Sequence, residues 1–338
     1  MNRKAIIWPA IVIFLAALAM GCKHTQAPAS AAPMPEPILA SGESDILTNP
    51  VEIICPWAPG GSSDVNAKTI GQVVSEMIGQ PVTVSNITGG GGAVGFTAQY
   101  NAPPDGYTLG IITAELNTLP PQNKLPFTFE KMHLILRMNT LPACIAVSGD
   151  SPFHTLDDLI LYAKAHPGQL KNGNVGTGSI WHICAAKLEA AADIRLDHSP
   201  YDGAATAVQS LLTGALDMVV LETSVCQPFV DSGELRILAV MAEERLTSFP
   251  QYSTCRELGY DIVAGSYQGI VCPADVPDAI KREWERVFTD AFYSESYQKF
   301  CEKYGLEKSF LSSADFYTFL EEDMEKVSEV IRTLDLSA

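Results

Sequence analysis

The sequence predicts an α/β fold assembled from strand–helix–strand units, and three observations predict it. From Val51 onward, apolar runs of strand length alternate with amphipathic stretches of helical period. Glycine-bearing loops lie between them, where a strand hands over to a helix. The 338 residues are 47% hydrophobic and 18% charged, which suits two domains with substantial cores and excludes a disordered or collagen-like chain.

The elements follow in order. Val51 to Cys55 reads as a buried strand. Asp64 to Ile78 carries Val65, Val73, Val74 and Met77 on a helical stripe and stops at Gly79, and Pro81 to Ile87 is a second strand. This strand–helix–strand order implies parallel pairing. Gly89 to Gly92 opens a short helix from Ala93 to about Asn101, the turn Pro103-Pro104-Asp105-Gly106 closes it, and Thr108 to Thr113 is a third strand. Helices are expected over Leu156–His166, Ile180–Ala192 and Ala204–Thr213, and strands over Lys171–Val175, Ala215–Leu221 and Leu235–Ala242. The last 60 or so residues read as mostly helical, with Asp278–Tyr293 and Ala314–Leu334 as packing helices. The acidic run Glu321-Glu322-Asp323 reads as a solvated face near a helix start.

Charge narrows the partners. With 22 Lys and Arg against 39 Asp and Glu, the net charge of −17 repels phosphate backbones, so nucleic acid is not expected as a partner. Arg3 and Lys4 precede an apolar run, Ala5 to Met20, that is short for a membrane span and has the layout of an export signal. Leu18-Ala19-Met20-Gly21-Cys22 resembles the lipobox of bacterial lipoproteins, which implies acylation at Cys22 and a lipid-anchored protein on the periplasmic or extracellular side. An ordinary cleaved signal with a chance cysteine is the alternative. Residues 23–45 are rich in Ala, Pro, Ser and Thr and read as a flexible tether. Loss of the first 22 residues removes Arg3 and Lys4 from the 22 basic residues, leaving 20 against 39 acidic ones, or −19. Seven cysteines then remain, an odd number with no CxxC pair, and they read as buried small hydrophobes.

Three loops could carry chemistry: Pro59-Gly60-Gly61-Ser62-Ser63-Asp64, Gly89 to Gly92, and Gly176-Thr177-Gly178-Ser179. Each leads from a strand to a helix, where unpaired N–H groups and the helix dipole favour an anion, and the hydroxyls add donors. Gly90-x-Gly92-x-x-Gly95 fits a dinucleotide fingerprint with Glu115 twenty residues on, but the glycines follow the second strand and an exported protein meets no nicotinamide cofactor. The first loop lacks the lysine of a phosphate-gripping loop, so no cofactor is expected. A hydrolase would need Ser62 or Ser179 with His154, His166, His182 or His198. No GxSxG elbow or HExxH spacing occurs, so neither catalysis nor a metal is expected.

The chain resembles the substrate-binding receptors of tripartite tricarboxylate transporters, the Bug family of extracytoplasmic solute receptors. The likeness is carried by Pro56-Trp57-Ala58-Pro59-Gly60-Gly61-Ser62-Ser63-Asp64, Gly79-Gln80-Pro81-Val82, Gly89–Gly92 with Gly95, and Pro104-Asp105-Gly106-Tyr107-Thr108-Leu109. It continues through Tyr162-Ala163-Lys164-Ala165-His166-Pro167-Gly168, Gly176–Ser179, His198-Ser199-Pro200-Tyr201-Asp202-Gly203, Leu235–Val240 and Arg245. The resemblance implies a two-lobe, Venus-flytrap fold of the periplasmic-binding-protein kind, with mixed sheets flanked by helices and a small carboxylate held mainly by backbone amides. Lobe 1 would comprise 46–147 and 268–338 and lobe 2 would comprise 148–267, with crossings near Ala143–Gly149 and Ala264–Cys272. Ligand contacts carried over are Trp57, Ala58, Gly60, Gly61, Ser62, Ser63, Gly90, Gly91, Gly92, Thr113, Ala114, Gly176, Thr177, Gly178, Ser179, Ile180, Tyr201 and Gly203. Partners implied are a small carboxylate (a di- or tricarboxylate, an aromatic acid or an amino acid) and membrane permease subunits, for a receptor acting as a monomer. A receptor used for sensing is an alternative. Lys68 stands where that family commonly has arginine and Ser62 where it has a third glycine. Glu115 puts a carboxylate near the expected cleft; pointing inward it would repel a polyanion and could hold an amine, so that an amino acid becomes a candidate ligand, and pointing outward it carries no implication.

Overall fold

A computed structural model describes residues 46–334. The export signal, Cys22 and the tether lie outside the described residues.

The first segment alternates as expected: β1 (Val51–Cys55), α1 (Ser62–Ile78), β2 (Val82–Asn86), α2 (Ala93–Tyr100), β3 (Thr108–Ile112) and a single helical turn, α3 (Glu115–Thr118). β1 pairs in parallel with β2 and β3, and α1 ends on Gly79 in the left-handed conformation. A second segment repeats the pattern with α4 (Leu156–Ala165), β5 (Lys171–Asn174), α5 (Ile180–Ala192), β6 (Asp197–Pro200), α6 (Ala204–Leu212), β7 (Met218–Glu222), α7 (Thr223–Asp231) and β8 (Leu235–Val240). Here β5 pairs in parallel with β6 and β7.

The centre is antiparallel, which the strand–helix–strand pattern alone did not predict. β4 (Met132–Ser148) is 17 residues long and carries Pro142 inside it. Up to Pro142 it pairs with β9 (Gly265–Pro273), and from Ala143 it pairs with β7, with β8 alongside from Cys144. Proline has no N–H to give a ladder, so the change of partner falls where the chain cannot sustain a continuous one. Opposite Pro142 stands Gly265, where a Cβ would come within 2.3 Å of the Leu141 carbonyl oxygen, so only glycine lets the two strands approach this closely. Hydrogen bonds from Ala143 N–H to Ala264 O (3.0 Å) and from Ala264 N–H to Met241 O (3.0 Å) hold the adjoining segments together. The strand order β2-β1-β3-β9-β4-β7-β5-β6 is therefore a mixed, curled sheet flanked by helices, a two-lobe arrangement of the kind expected.

The C-terminal region is less uniformly helical than its composition suggests. Between α8 (Asp278–Tyr293), α9 (Glu295–Tyr304) and α10 (Ser313–Thr333) runs a strand, β10 (Glu307–Ser312), on the outer side of β4. One core, with Trp284 and Phe288 of α8, packs against β1, β3 and α1. Another joins β4 and β7 to α6 and α7, and the largest brings Phe316 and Leu320 of α10 against β3, β4 and α5. Glu321 and Glu322 are exposed, but Asp323 is half-buried and accepts a hydrogen bond from Asn117 Nδ2 at 2.9 Å, so it departs from the solvated face expected for this run. All seven cysteines among the described residues are buried and unpaired.

Candidate functional site

Six strands point their C-terminal ends at one cleft of about 1030 Å³. The residues following β1 (Trp57, Ala58, Gly61 to Ser63), β2 (Thr88 to Ala93) and β3 (Thr113, Glu115) line one side. Those following β5 (Val175 to Trp181) and β6 (Tyr201 to Ala204), together with the last residue of β7 (Glu222), line the other. Crevices at the carboxyl ends of strands are where open α/β sheets bind ligands, because helix N-termini begin there.

Four helices start at this cleft, and their first residues decide its chemistry. α1, α2 and α6 have glycine N-caps, Gly61, Gly92 and Gly203, with no side chain to satisfy the first-turn N–H groups. Ser179 caps α5 but its hydroxyl accepts only the His182 N–H, leaving Ile180 and Trp181 at the helix start. The cleft is thus lined by main-chain donors at the positive ends of helix dipoles.

The first loop is clamped from behind. Asn86 Nδ2 donates to Trp57 O and to Asp64 Oδ1 (both 2.9 Å), while Asp64 Oδ2 accepts from Gly60 N–H (2.7 Å) and Lys68 Nζ (2.8 Å). Burial pushes the Asp64 carboxyl up, but the Gly60 N–H, Lys68 and Asn86 outweigh it and hold it below the usual range. Ser63 is fixed by a buried network: Gln268 Nε2 donates to Ser63 Oγ (3.0 Å), Gln268 Oε1 accepts from Asn66 and Asn139, and Tyr297 OH donates to Asn66 Oδ1 (2.8 Å). Its hydroxyl proton stays available to the cleft. In the second loop Gly89 to Gly92 all have positive φ, which four consecutive glycines permit and other residues resist. In the third, Gln122 Nε2 donates to Gly178 O (2.9 Å) and Gly178 N–H donates to His182 Nδ1 (3.0 Å). Burial and the neighbouring His198 pull the His182 ring down to about 4, against Glu189, so it is a neutral acceptor.

Of the residues expected at the site, Trp57, Ala58, Gly61, Ser62, Ser63, Gly90, Gly91, Gly92, Thr113, Gly176, Thr177, Gly178, Ser179, Ile180, Tyr201 and Gly203 line the cleft. Gly60 and Ala114 do not: the Gly60 N–H is committed to Asp64, and Ala114 is buried with its N–H on Ser266 Oγ at 3.4 Å. The Gly178 N–H is likewise committed, to His182. Trp57 Nε1 donates to Thr113 Oγ1 (3.3 Å), which in turn donates to Glu115 Oε2 (2.5 Å), so Glu115 belongs to the cleft wall. Reasoning from sequence missed Thr118, Lys124, Glu222 and Ser266. Glu222 had a signal, since it directly follows the strand expected over Ala215–Leu221 and is the last residue of β7. No described histidine ring nitrogen bonds the Ser62 or Ser179 hydroxyl: His182 Nδ1 takes the Gly178 N–H, and His198 Nε2 faces Glu189 Oε2 at 3.0 Å.

A model of the tripartite tricarboxylate transporter family receptors matches residues 67–336. The chain belongs to this receptor family. A relative from Cupriavidus necator, the UPF0065 protein in the gbd 5′ region, is 30% identical to the receptor over 289 residues, 85% of this chain and 88% of that one. A TctC solute-binding protein from Polaromonas, crystallised with no ligand, is 27% identical with a TM-score of 0.74, covering 85% of this chain and 99% of its own. An R. palustris protein solved with adipate shares the fold at a TM-score of 0.77 and 23% identity, covering 86% of this chain and 98% of that chain. The receptor's architecture is that of solute-binding proteins.

Proposed function

We propose that this receptor captures a small organic carboxylate outside the cytoplasm and hands it unchanged to the permease subunits of a tripartite tricarboxylate-type transporter. One observation carries the reading: the N-termini of α1, α2, α5 and α6 converge on a single cleft, and the glycine caps of α1 and α6 leave donors for a ligand. Such donors bind anions without a cationic side chain. Lys124 is the basic side chain lining the cleft, and its Nζ donates to Gln122 Oε1 at 2.8 Å. The R. palustris neighbour carries adipate, a dicarboxylate, although the likeness there is one of fold.

The ligand contacts on this reading are the cleft-lining residues named above. The lobes on this reading are 46–147 with 268–334, and 148–267, joined where β4 and the segment leading into β9 run side by side. Ligand touching both lobes shifts an open–closed equilibrium by its preference for the closed form. Lipid attachment at Cys22 would keep the receptor at the membrane. No helix among the described residues is long and apolar enough to cross it. Melting curves with a panel of mono-, di- and tricarboxylates, followed by NMR of the recovered compound, test the proposal. A receptor is stabilised and returns the acid intact; consumption of the acid, or no stabilisation by any member, overturns it.

A further inference from the structure

The cleft is electrically two-ended. Its rim of helix N-termini is positive, but two carboxyl groups stand in its wall near the crossing strands. Glu115 and Glu222 are each only 8% exposed, line the cleft, and have no ion-pair partner among the described residues. Each accepts one neutral hydroxyl, Glu115 from Thr113 and Glu222 from Ser224. Three residues after Glu115, the fully buried Thr118 also lines the cleft, and its hydroxyl has no hydrogen-bond partner.

The two carboxyls stand on either side of the crossing strands. Ser266 of β9 pairs with Leu141 of β4, and both line the cleft; two residues on, Ala143 pairs with Glu222 of β7 on the other side. Ala114 N–H donates to Ser266 Oγ, which brings Glu115 beside β9. Glu115, just beyond β3, and Glu222, at the end of β7, are therefore three strand spacings apart in the order β3-β9-β4-β7, roughly 14 Å at the backbone, and both side chains line the cleft between. That gap suits a small ligand.

We propose that Glu115, Thr118 and Glu222 form an ammonium subsite, so that the ligand is an acid that also carries a protonated amine. This rests on the carboxylate-receptor reading and deepens it. A carboxyl group withdrawn from water without a counter-ion is costly, and burial pushes both carboxyls up from their ordinary range. An arriving ammonium supplies the missing positive charge and three donors, against two carboxyls and one hydroxyl able to accept them. Lys124 does not serve this purpose, since its Nζ is held by Gln122. The carboxylate of the same ligand then lies on the N–H groups at the helix starts.

Calorimetric titration of the receptor with matched acids tests this: L-aspartate against succinate, L-glutamate against glutarate, L-leucine against 4-methylpentanoate, and 1,4-diaminobutane as an amine alone. In the pair that fits, the amine-bearing acid binds at least 30-fold more tightly than its partner. Glu115→Gln weakens it at least tenfold and changes the amine-free partner by much less, so that the preference for the amine collapses, and Thr118→Val weakens it several-fold. If the amine-free acids bind as well or better in every pair, or tighten as the pH falls because Glu115 donates a proton to them, the ammonium subsite is wrong and the carboxylate reading survives. Binding of the diamine alone, lost in Glu115→Gln, supports the subsite and removes the carboxylate reading. Silence from every probe removes both.

Discussion

Placing a carboxylate of the protein's own where the ligand's should lie tests the role of the helix starts. Gly203, the N-cap of α6, has an extended backbone (φ −175°, ψ 160°), and a Cβ there would meet nothing within 4 Å. Gly203→Asp is therefore tolerated, and its side chain can accept the first-turn N–H groups that no side chain now caps. A better cap and a favourable dipole contact together contribute about 0.5–1 kcal/mol. For a chain of this size that raises the ligand-free Tm by roughly 1–3 °C. Binding moves the other way. Two carboxylates about 4–5 Å apart at an effective dielectric constant near 20 repel by about 3–4 kcal/mol, roughly 300- to 1000-fold in Kd. Gly203→Asn is the neutral control: it competes for the same donors without repulsion and costs about tenfold. Calorimetry with the best-binding acid at 0.15 M salt, beside melting curves of both ligand-free variants, measures each quantity. Equal losses in the Asp and Asn variants would show that bulk, not charge, blocks the site, and full affinity in Gly203→Asp would refute the reasoning outright.

Other consequences follow from the same geometry. His182 titrates near 4 in the fold, below its ordinary 6.5, so the unfolded chain takes up the proton first and stability falls as the pH drops through that window. The loss is about 2.5 kcal/mol between pH 7.5 and 4.5; urea unfolding of His182→Asn should show a drop smaller by about that amount, and parallel drops would contradict it. Glu115 and Glu222 have raised values, so the folded state holds their protons longer and stability declines as pH rises above the ordinary glutamate range. Ligand-free Glu222→Gln should melt higher than the native chain at pH 8 and alike at pH 4.5, and a lower Tm at both would argue that the Ser224 contact outweighs the burial cost. At Gly95 a Cβ would stand 2.6 Å from Pro56 Cα and from Ile87 O, both backbone atoms, so Gly95→Ala should cost about 1–3 kcal/mol and lower the Tm by several degrees. An unchanged melting curve would mean that the first loop yields freely.

Much of this was legible in the residues, and the reasons differ by element. Ile180–Ala192 and Asp278–Tyr293 were bounded correctly because apolar spacing and end signals agree there. The three glycine loops announced helix starts, and all three line the cleft. β10 was hidden because Glu307–Ser312 is an edge strand of mostly half-buried residues with no two-residue alternation. β4 was missed because Pro142 reads as a breaker, whereas here it marks a change of partner strand. In the site, hydrogen-bond commitment was invisible: nothing local says that the Gly60 and Gly178 N–H groups are taken by side chains four residues on. Thr118 and Ser266 reach the cleft through tertiary packing, which leaves no mark on nearby residues.

The decisive measurement is a crystal structure of the receptor with the acid that stabilises it most. The account predicts carboxylate oxygens about 2.7–3.1 Å from main-chain nitrogens at the starts of α1, α5 or α6, such as those of Ser62, Ser63, Ile180 or Ala204. A carboxylate resting chiefly on the Lys124 ammonium, or lying outside the cleft, would contradict it.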